Sequence, residues 1–243
     1  MPTAGRHARQ ILLPQIGEAG QKRLSQAALF VVGCGGLGSA LLYDLTAMGV
    51  GRIGFADDDA VSESDLNRQF LYTTADIGRK KAPVTAERLS ALDPGVTLAP
   101  VCRRVTAENA AALVDGYDAV LLAVDNLETR LAVNAACHRL GLPLIDGGVD
   151  GFHGSMTLVV PEKTACLACL YGDAPKKSAP KKRPIAAFAP VVTAISALEA
   201  QAAALTLLGL CEPLLGKTFF FDGGSLTLDA VRIRPVDGCP VCG

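Results

Sequence analysis

The chain has 243 residues, half of them hydrophobic, with a net charge of −1 and eight cysteines. This length suffices for one large α/β domain with a buried core. The near-neutral charge argues against a general nucleic-acid binder and against a polybasic membrane anchor. The first ten residues lack the apolar segment of a secretory signal, so we expect a cytoplasmic protein.

An N-terminal helical arm is predicted over residues 5–27, where charged and apolar residues alternate at helical spacing. An apolar strand follows, and a helix is predicted over 39–48. Between strand and helix lie Gly33, Gly35, Gly36 and Gly38. Glycines allow a sharp turn and a close approach to a ligand, and a helix N-terminus favours phosphate. The pattern indicates a nucleotide site, although strand–helix packing without a ligand remains an alternative.

Acidic residues follow the next predicted strands. The strand over 51–56 leads into Asp57, nineteen residues after Gly38, where a carboxylate can accept hydrogen bonds from ribose. An acidic loop or a helix cap is the alternative interpretation. The strand over 119–124 leads into Asp125 and Asn126. Since ligands gather beyond the carboxyl ends of parallel strands, we expect Gly33, Asp57 and Asp125 to converge.

The remaining pattern predicts helices over 77–92, 107–114 and 128–140, and strands over 96–101, 142–146 and 156–160. The apolar stretch around Glu199 is predicted as a buried helix over 190–210, because a charge at a bilayer centre costs about 2.5 to 3.5 kcal/mol. A hairpin is expected over 217–234. The fold class is thus α/β: a Rossmann-like, doubly wound, mainly parallel sheet extended by C-terminal antiparallel strands. We divide it into an arm (1–27), a nucleotide-binding core (28–150) and a sheet extension (151–243) within one compact domain.

Two CxxC pairs lie about seventy residues apart in the chain, formed by Cys166, Cys169, Cys239 and Cys242. Four thiolates favour tetrahedral Zn²⁺ in a closed structural site, whereas a redox pair is disfavoured by the absence of a thioredoxin-like pattern. The intervening segment 173–184 is predicted to be a mobile loop. Contact with an acidic partner and simple solvation are equally open for its basic residues, Lys176, Lys177, Lys181, Lys182 and Arg183.

Taken together, these motifs closely resemble the ThiF/MoeB/HesA family, relatives of ubiquitin-activating enzymes, over nearly the whole chain. The motifs are Arg9-Gln10, GCGGLG, Asp57-x-Asp59, Leu66-Asn67-Arg68-Gln69, Lys81, Asp125-Asn126-x-x-x-Arg130 and the CxxC pairs. The resemblance implies a homodimer with a structural zinc that uses ATP and Mg²⁺. It implies adenylylation of the C-terminal glycine of a small ubiquitin-like sulfur-carrier protein ending in Gly-Gly.

The resemblance also implies roles for individual residues. Arg68 and Lys81 would contact the triphosphate, Asp125 would hold Mg²⁺, and Arg9 would complete the neighbouring protomer's site. The nucleotide-binding set would comprise Gly33, Gly35, Gly36, Gly38, Asp57, Asp59, Asn67, Gln69, Asn126 and Arg130. A carboxylate acceptor is already ionised at neutral pH, so this reaction needs cations and positioning more than a general base. We therefore expect the three histidines to be structural or surface residues.

Two departures from the family pattern bear on mechanism. Asp65 replaces a common asparagine and places an additional carboxylate near the phosphates, to bind metal or to point away. No cysteine lies between Cys169 and Cys211, so we expect adenylylation without a covalent intermediate on that loop and with a separate sulfur donor. The alternatives are another acceptor, such as a peptide carboxylate or a modified tRNA base, an NAD(P)-dependent oxidoreductase, or a non-catalytic scaffold. The low net charge disfavours tRNA.

Overall fold

One eight-stranded sheet runs through the computed structural model, which describes residues 5–172 and 185–243. The strands are β1 (Ala28–Val32), β2 (Arg52–Ala56), β3 (Thr97–Val101), β4 (Ala119–Leu122), β5 (Leu144–Asp150), β6 (His153–Val159), β7 (Lys217–Asp222) and β8 (Thr227–Arg232). Their spatial order is β3-β2-β1-β4-β5-β6-β7-β8. The first five pair in parallel and the last three add antiparallel strands. The structure thus confirms a mixed α/β fold with a mostly parallel sheet and an antiparallel extension.

Helices cover both faces of the sheet. They are α1 (Ala8–Ile11), α2 (Gly17–Gln26), α3 (Gly36–Ala47), α4 (Lys81–Leu92), α5 (Ala110–Val114), α6 (Leu127–Leu140), α7 (Leu167–Tyr171) and α8 (Ala189–Leu208), with short 3₁₀ turns at Glu63–Asp65, Thr74–Asp76 and Glu212–Leu214. Apolar residues of α3, α4 and α8 pack on one face, and those of α5, α6 and α7 on the other. Because both faces are covered, β1 and β4 consist almost entirely of buried apolar residues.

The long apolar helix α8 is a core helix, as predicted. By length and composition it could cross a membrane, but 56% of its most apolar window is buried inside the protein. It packs against α3, β5 and β6, and Glu199 at its middle is fully buried.

Several predicted boundaries differ from the structure by one to four residues. Helix α4, predicted over 77–92, begins only at Lys81, because Lys80 is extended and forms a bridge with Ala60. The N-terminal arm is helical, as predicted, and consists of two helices, α1 and α2. Helix α5 begins at Ala110 instead of residue 107, because Asn109 folds back to accept a hydrogen bond from the Thr106 amide at 2.8 Å. Strand β5 extends through Gly147 and Gly148, which were expected after its end, because it continues as a hairpin with β6. The basic segment 173–184, predicted to be a mobile loop, lies outside the described residues.

Candidate active site

The glycine turn joins β1 to α3 at the centre of the parallel strands. Gly33 has a φ of +99°, and a Cβ there would meet the Ala123 carbonyl oxygen at 2.5 Å. A Cβ at Gly38 would collide with the carbonyl of Gly33. Both positions therefore require glycine, one for its backbone conformation and both for close packing between β1, β4 and α3. Among the described residues no side chain caps the N-terminus of α3, which follows the carboxyl end of β1.

Asp57 holds this turn in place. One carboxylate oxygen accepts from the Cys34 amide at 2.8 Å and the other from the Asp59 amide at 2.8 Å. Burial raises the pKa of Asp57 above its ordinary value, and the hydrogen bonds oppose that rise. A carboxylate has about four acceptor positions, so Asp57 keeps capacity for a further donor. Gly33, Asp57 and Asp125 follow the carboxyl ends of three adjacent strands, β1, β2 and β4.

Asp65 is the centre of a charged cluster beside the turn. It accepts from the Ser62 amide and hydroxyl at 3.0 and 2.9 Å. The Lys81 ammonium lies 3.5 Å from one Asp65 oxygen and the Arg68 guanidinium 3.7 Å from the other. Burial alone would raise the pKa of Asp65, but the Ser62 hydrogen bonds and the charge of Lys81 lower it below its ordinary value. Asp65 therefore neither points away nor lies free; as an ionised carboxylate it fixes two cations.

The two cations face the glycine turn in different ways. Lys81 is 5% exposed and also approaches Asp59 at 3.6 Å. The aliphatic part of Arg68 packs beside Gly36, where an added Cβ would lie 3.6 Å from Arg68 Cγ. Its guanidinium donates to the Ser64 carbonyl at 2.8 Å and to Asn67 Oδ1 at 3.0 Å. The Arg68 side chain thus borders the N-terminus of α3, where a phosphate would be favoured, and Lys81 lies on the other side of the shared Asp65 carboxylate.

Gln69 is buried behind this cluster and is 2% exposed. Its Nε2 donates to Asp65 at 2.8 Å, whereas its Oε1 has no hydrogen-bond partner in the described part of the chain. A Cβ at Gly35 would lie 3.7 Å from Nε2. Gln69 therefore packs against the glycine turn on its buried side, whereas Asn67 is exposed to solvent.

The segment after β4 carries an exposed carboxylate, flanked by a helix cap and a buried arginine. Asp125 is exposed. Asn126 caps helix α6, since its Oδ1 accepts from the Thr129 amide at 2.8 Å. Arg130 is buried and donates from Nη2 to the carbonyls of Val124 and Gly147, at 2.6 and 2.8 Å. Asn126 and Arg130 thus fix the backbone that carries Asp125.

Asp146 and Glu199 are buried polar residues, and Tyr171 is half-buried next to Asp146; no sequence motif singled out these three. Asp146 pairs with Arg130 and accepts from the Tyr171 hydroxyl at 2.9 Å. Glu199 has no hydrogen-bond partner for either oxygen among the described residues, and burial raises its pKa well above its ordinary value. An isolated carboxyl within an apolar helix is the one sequence signal that pointed to this region.

Arg9 lies exposed on α1, away from the glycine turn. The neighbouring Gln10 donates to the Met48 carbonyl at 3.2 Å, which anchors α1 beside the C-terminal end of α3. Since α3 has 12 residues, its two ends are separated by about 18 Å. The sequence-predicted residues other than Arg9 and the cysteines therefore gather at one edge of the sheet, and Arg9 does not join them within one chain.

The four paired cysteines converge in a separate cluster. The Sγ atoms of Cys166 and Cys239 are 3.7 Å apart, those of Cys169 and Cys242 3.4 Å, and those of Cys166 and Cys169 4.0 Å. All four lie within 4.8 Å of one another. Sulfurs about 2.3 Å from a tetrahedral metal would be about 3.8 Å apart. The cluster thus fits a metal ion and links the C-terminus to helix α7.

Comparison with known proteins identifies the family of this chain. Residues 7–241 match the model of the ThiF family. The chain belongs to the ThiF family. It is 39% identical over 244 residues to a sulfur carrier protein adenylyltransferase of Thermus thermophilus, covering 98% of this chain and 90% of that protein. It is also 39% identical over 241 residues to the sulfur carrier protein ThiS adenylyltransferase of Escherichia coli, covering 98% and 94%. This ThiF-family chain is accordingly an adenylyltransferase.

Solved structures agree with this membership. The E. coli MccB structure with ATP superposes with a TM-score of 0.83 at 26% identity, covering 92% of this chain and 69% of that one. MccB with MccA-N7isoASN gives a TM-score of 0.87 at 25% identity, covering 98% and 75%.

Proposed function

We propose that this protein uses ATP to adenylylate the C-terminal glycine carboxylate of a small ubiquitin-like sulfur-carrier protein, releasing pyrophosphate. The observation that carries the proposal is the placement of Arg68 beside Gly36 at the N-terminus of α3, with Lys81 held by the same Asp65 carboxylate. Relatives that activate sulfur carriers at 39% identity over nearly the whole chain support the acceptor class.

The nucleotide is proposed to lie across the carboxyl ends of the five parallel strands, which form a Rossmann-like half of the sheet. Asp57 would accept hydrogen bonds from the ribose, and the glycine turn with Asp59, Asn67 and Gln69 would line the nucleotide. Arg68 and Lys81 would contact the triphosphate. Arginine suits this role because its forked donors match phosphate oxygens. Asn126 and Arg130 would contribute by holding the segment that carries Asp125.

The chemical step then requires little proton transfer. An oxygen of the ionised carboxylate attacks the α-phosphorus, the bond from that phosphorus to the bridging oxygen breaks, and pyrophosphate leaves. The protein's work is to align the two anions and to offset their charge, a contribution worth about 2.7–4 kcal/mol for one well-placed donor. Arg68 and Lys81 supply that charge close to where the phosphates would lie.

Mg²⁺ is proposed to bind through Asp125. An exposed carboxylate that follows a parallel strand, on a segment packed against the glycine turn at Ala123, fits a hard cation with few protein ligands. When bound, Mg²⁺ would neutralise phosphate charge. Zn²⁺ is proposed for the tetracysteine cluster, whose four sulfurs leave no open position for water and make it structural.

The active unit is proposed to be a homodimer in which Arg9 reaches the partner's site. Its position at the far end of α3 in its own chain supports action in trans. Because the chain has no cysteine between Cys169 and Cys211, no thioester on that segment is part of the proposal. The sulfur would come from a separate donor.

The decisive experiment is ATP–pyrophosphate exchange with Mg²⁺, with and without each small Gly-Gly-ending protein of the source organism. We expect exchange that requires one carrier and is lost when its terminal glycine is deleted. The glycine-deleted carrier is the matched control. If ATP binds but none of these carriers supports exchange, the assignment is overturned and another acceptor, such as a peptide, is favoured.

A further inference from the structure

A chain of hydrogen bonds links helix α7, which follows Cys166 of the tetracysteine cluster, to the segment carrying Asp125. Helix α7 begins directly after Cys166 and ends at Tyr171. The Tyr171 hydroxyl donates to Asp146 at 2.9 Å, and Asp146 pairs with the guanidinium of Arg130. Arg130 in turn donates to the Val124 carbonyl, one residue before Asp125. Asp146 and Arg130 are 4% and 8% exposed, so water does not compete strongly for these bonds.

Arg130 replaces sheet pairing at the position where the ladder between β4 and β5 ends. The parallel pairing of β4 with β5 ends at Leu122 opposite Asp146. Beyond that point the β4 backbone continues to Asp125 without a ladder partner on the β5 side. The Nη2 group of Arg130 bridges this gap, since it donates to Val124 at 2.6 Å and to Gly147 on β5 at 2.8 Å.

The β5 end of this bridge is held from the opposite face of the sheet. The carboxyl group of Glu199 on α8 packs directly against Gly147, in the space that a Cβ would fill. Any side chain at residue 147 would displace that carboxyl. Gly147 therefore has little room to move, and its carbonyl provides Arg130 with a fixed acceptor.

We propose that Asp146 and Tyr171 are positioning residues for Asp125, acting through Arg130. Asp146 orients the guanidinium, and the guanidinium sets the position of the Val124–Asp125 backbone. Tyr171 connects the position of this guanidinium to helix α7, which follows Cys166. An intact cysteine cluster therefore favours a fixed position of the Asp125 backbone. Arg130 then serves the reaction through this backbone and not through the nucleotide. This inference rests on the proposed adenylylation, in which Asp125 holds Mg²⁺.

The test compares Tyr171→Phe and Asp146→Asn with the matched control Tyr117→Phe. The ring of Tyr117 packs against that of Phe30, with 5.1 Å between the centroids, and its hydroxyl lies against Gly54, outside the relay. We expect both relay variants to lower kcat of ATP–pyrophosphate exchange by about tenfold or more, because small displacements of reacting groups cost rate steeply. KM for ATP and for the carrier should change less than about twofold. The control should match the wild type.

A second readout does not depend on catalysis. Amide hydrogen exchange of residues 123–126 should be faster in both relay variants and unchanged in the Tyr117→Phe control. Amide exchange of these residues in the double variant should be no faster than in Asp146→Asn alone, because the two residues act in one chain of hydrogen bonds. Unaltered exchange at these amides in both single variants would overturn the inference, as would a normal kcat with only a lower Tm. If the wild type activates no carrier but both relay variants show faster amide exchange than the wild type, the proposed function is refuted and the positioning role of Asp146 and Tyr171 stands.

Discussion

Asp65 arranges the cationic side of the site. From the sequence it was an additional carboxylate with two open roles, metal binding or pointing away. In the structure it accepts from Ser62 and holds Lys81 and Arg68 within 3.5 and 3.7 Å. The Ser62-x-x-Asp65 spacing is a capping-box pattern that a sequence can reveal. The contact with Lys81 depends on where α4 begins in space, which no local pattern encodes.

Arg68→Ala is expected to slow ATP–pyrophosphate exchange at least about a hundredfold, since one charged contact to the transition state contributes about 2.7–4 kcal/mol. The measurement is the initial rate with saturating ATP and carrier. Arg139→Ala is the matched control, because Arg139 is exposed near the opposite end of α6 from the site. A near-normal rate for Arg68→Ala would refute its assignment.

At the scale of elements, a buried carboxylate organises the turn that leads into α4. Asp76 is 1% exposed and accepts from the Thr73 amide at 2.9 Å and from Arg79 and Arg88 at 2.8 Å each. These bonds connect the loop after β2 to the helix that carries Lys81. The hydrogen bond from Arg88 and those from Thr73 outweigh burial and hold the pKa of Asp76 well below its usual range.

This depressed pKa predicts how stability depends on pH. Because the folded-state pKa lies below the unfolded value of about 3.9, the stabilisation is fully present above about pH 5 and is lost as the pH falls through and below 4. Asp76→Asn should cost about 3 kcal/mol at pH 7 and flatten the acid limb of the stability curve. Urea unfolding between pH 3 and 7 measures both effects.

The control for Asp76 is Glu87→Gln. Glu87 accepts from Arg79 at 2.6 Å but is exposed, and exposed ion pairs contribute little to stability. We expect an unchanged free energy of unfolding. Equal losses in the two variants would mean that burial of Asp76 does not matter.

Element type was predictable where the signal is local. The sequence predicts β1, the glycine turn and α3 because the apolar residues and glycines that specify them are only a few positions apart in the chain. The extension of β5 through Gly147 and Gly148 was missed, because glycines in sequence resemble a loop. These glycines are in the strand because of tertiary contacts: Glu199 packs against Gly147, and β6 pairs with β5 along both positions.

At the scale of the whole molecule, the tetracysteine cluster joins two segments far apart in sequence. Cys242→Ser is expected to reduce bound zinc from about one ion per chain and to lower Tm, because binding energy at a structural site is folding energy. Metal analysis and thermal unfolding test this. Cys211→Ser, outside the cluster and half-buried, is the control. Full stability without metal would contradict a structural zinc.

The proposed homodimer makes a second prediction at this scale. Arg9→Ala and Asp125→Ala proteins should each be inactive, and mixing them after subunit exchange should restore about a quarter of wild-type activity. One intact site forms in each mixed dimer, and about half of the dimers are mixed. No recovery, with mixed dimers demonstrated by mass, would place Arg9 in its own chain's site or outside catalysis.

The sequence by itself determined the strand–turn–helix unit, the acidic strand ends, the cysteine pairs and the family. These depend on residues close together or on fixed spacings, whose backbone and ligand chemistry act locally. Only the tertiary structure decided that Asp65 binds Lys81 and Arg68, that Asp146 pairs with Arg130, and where Arg9 lies. Those contacts join elements that strand order in the sheet and helix packing bring together. The free energy of a buried charge depends on which partners this packing places beside it.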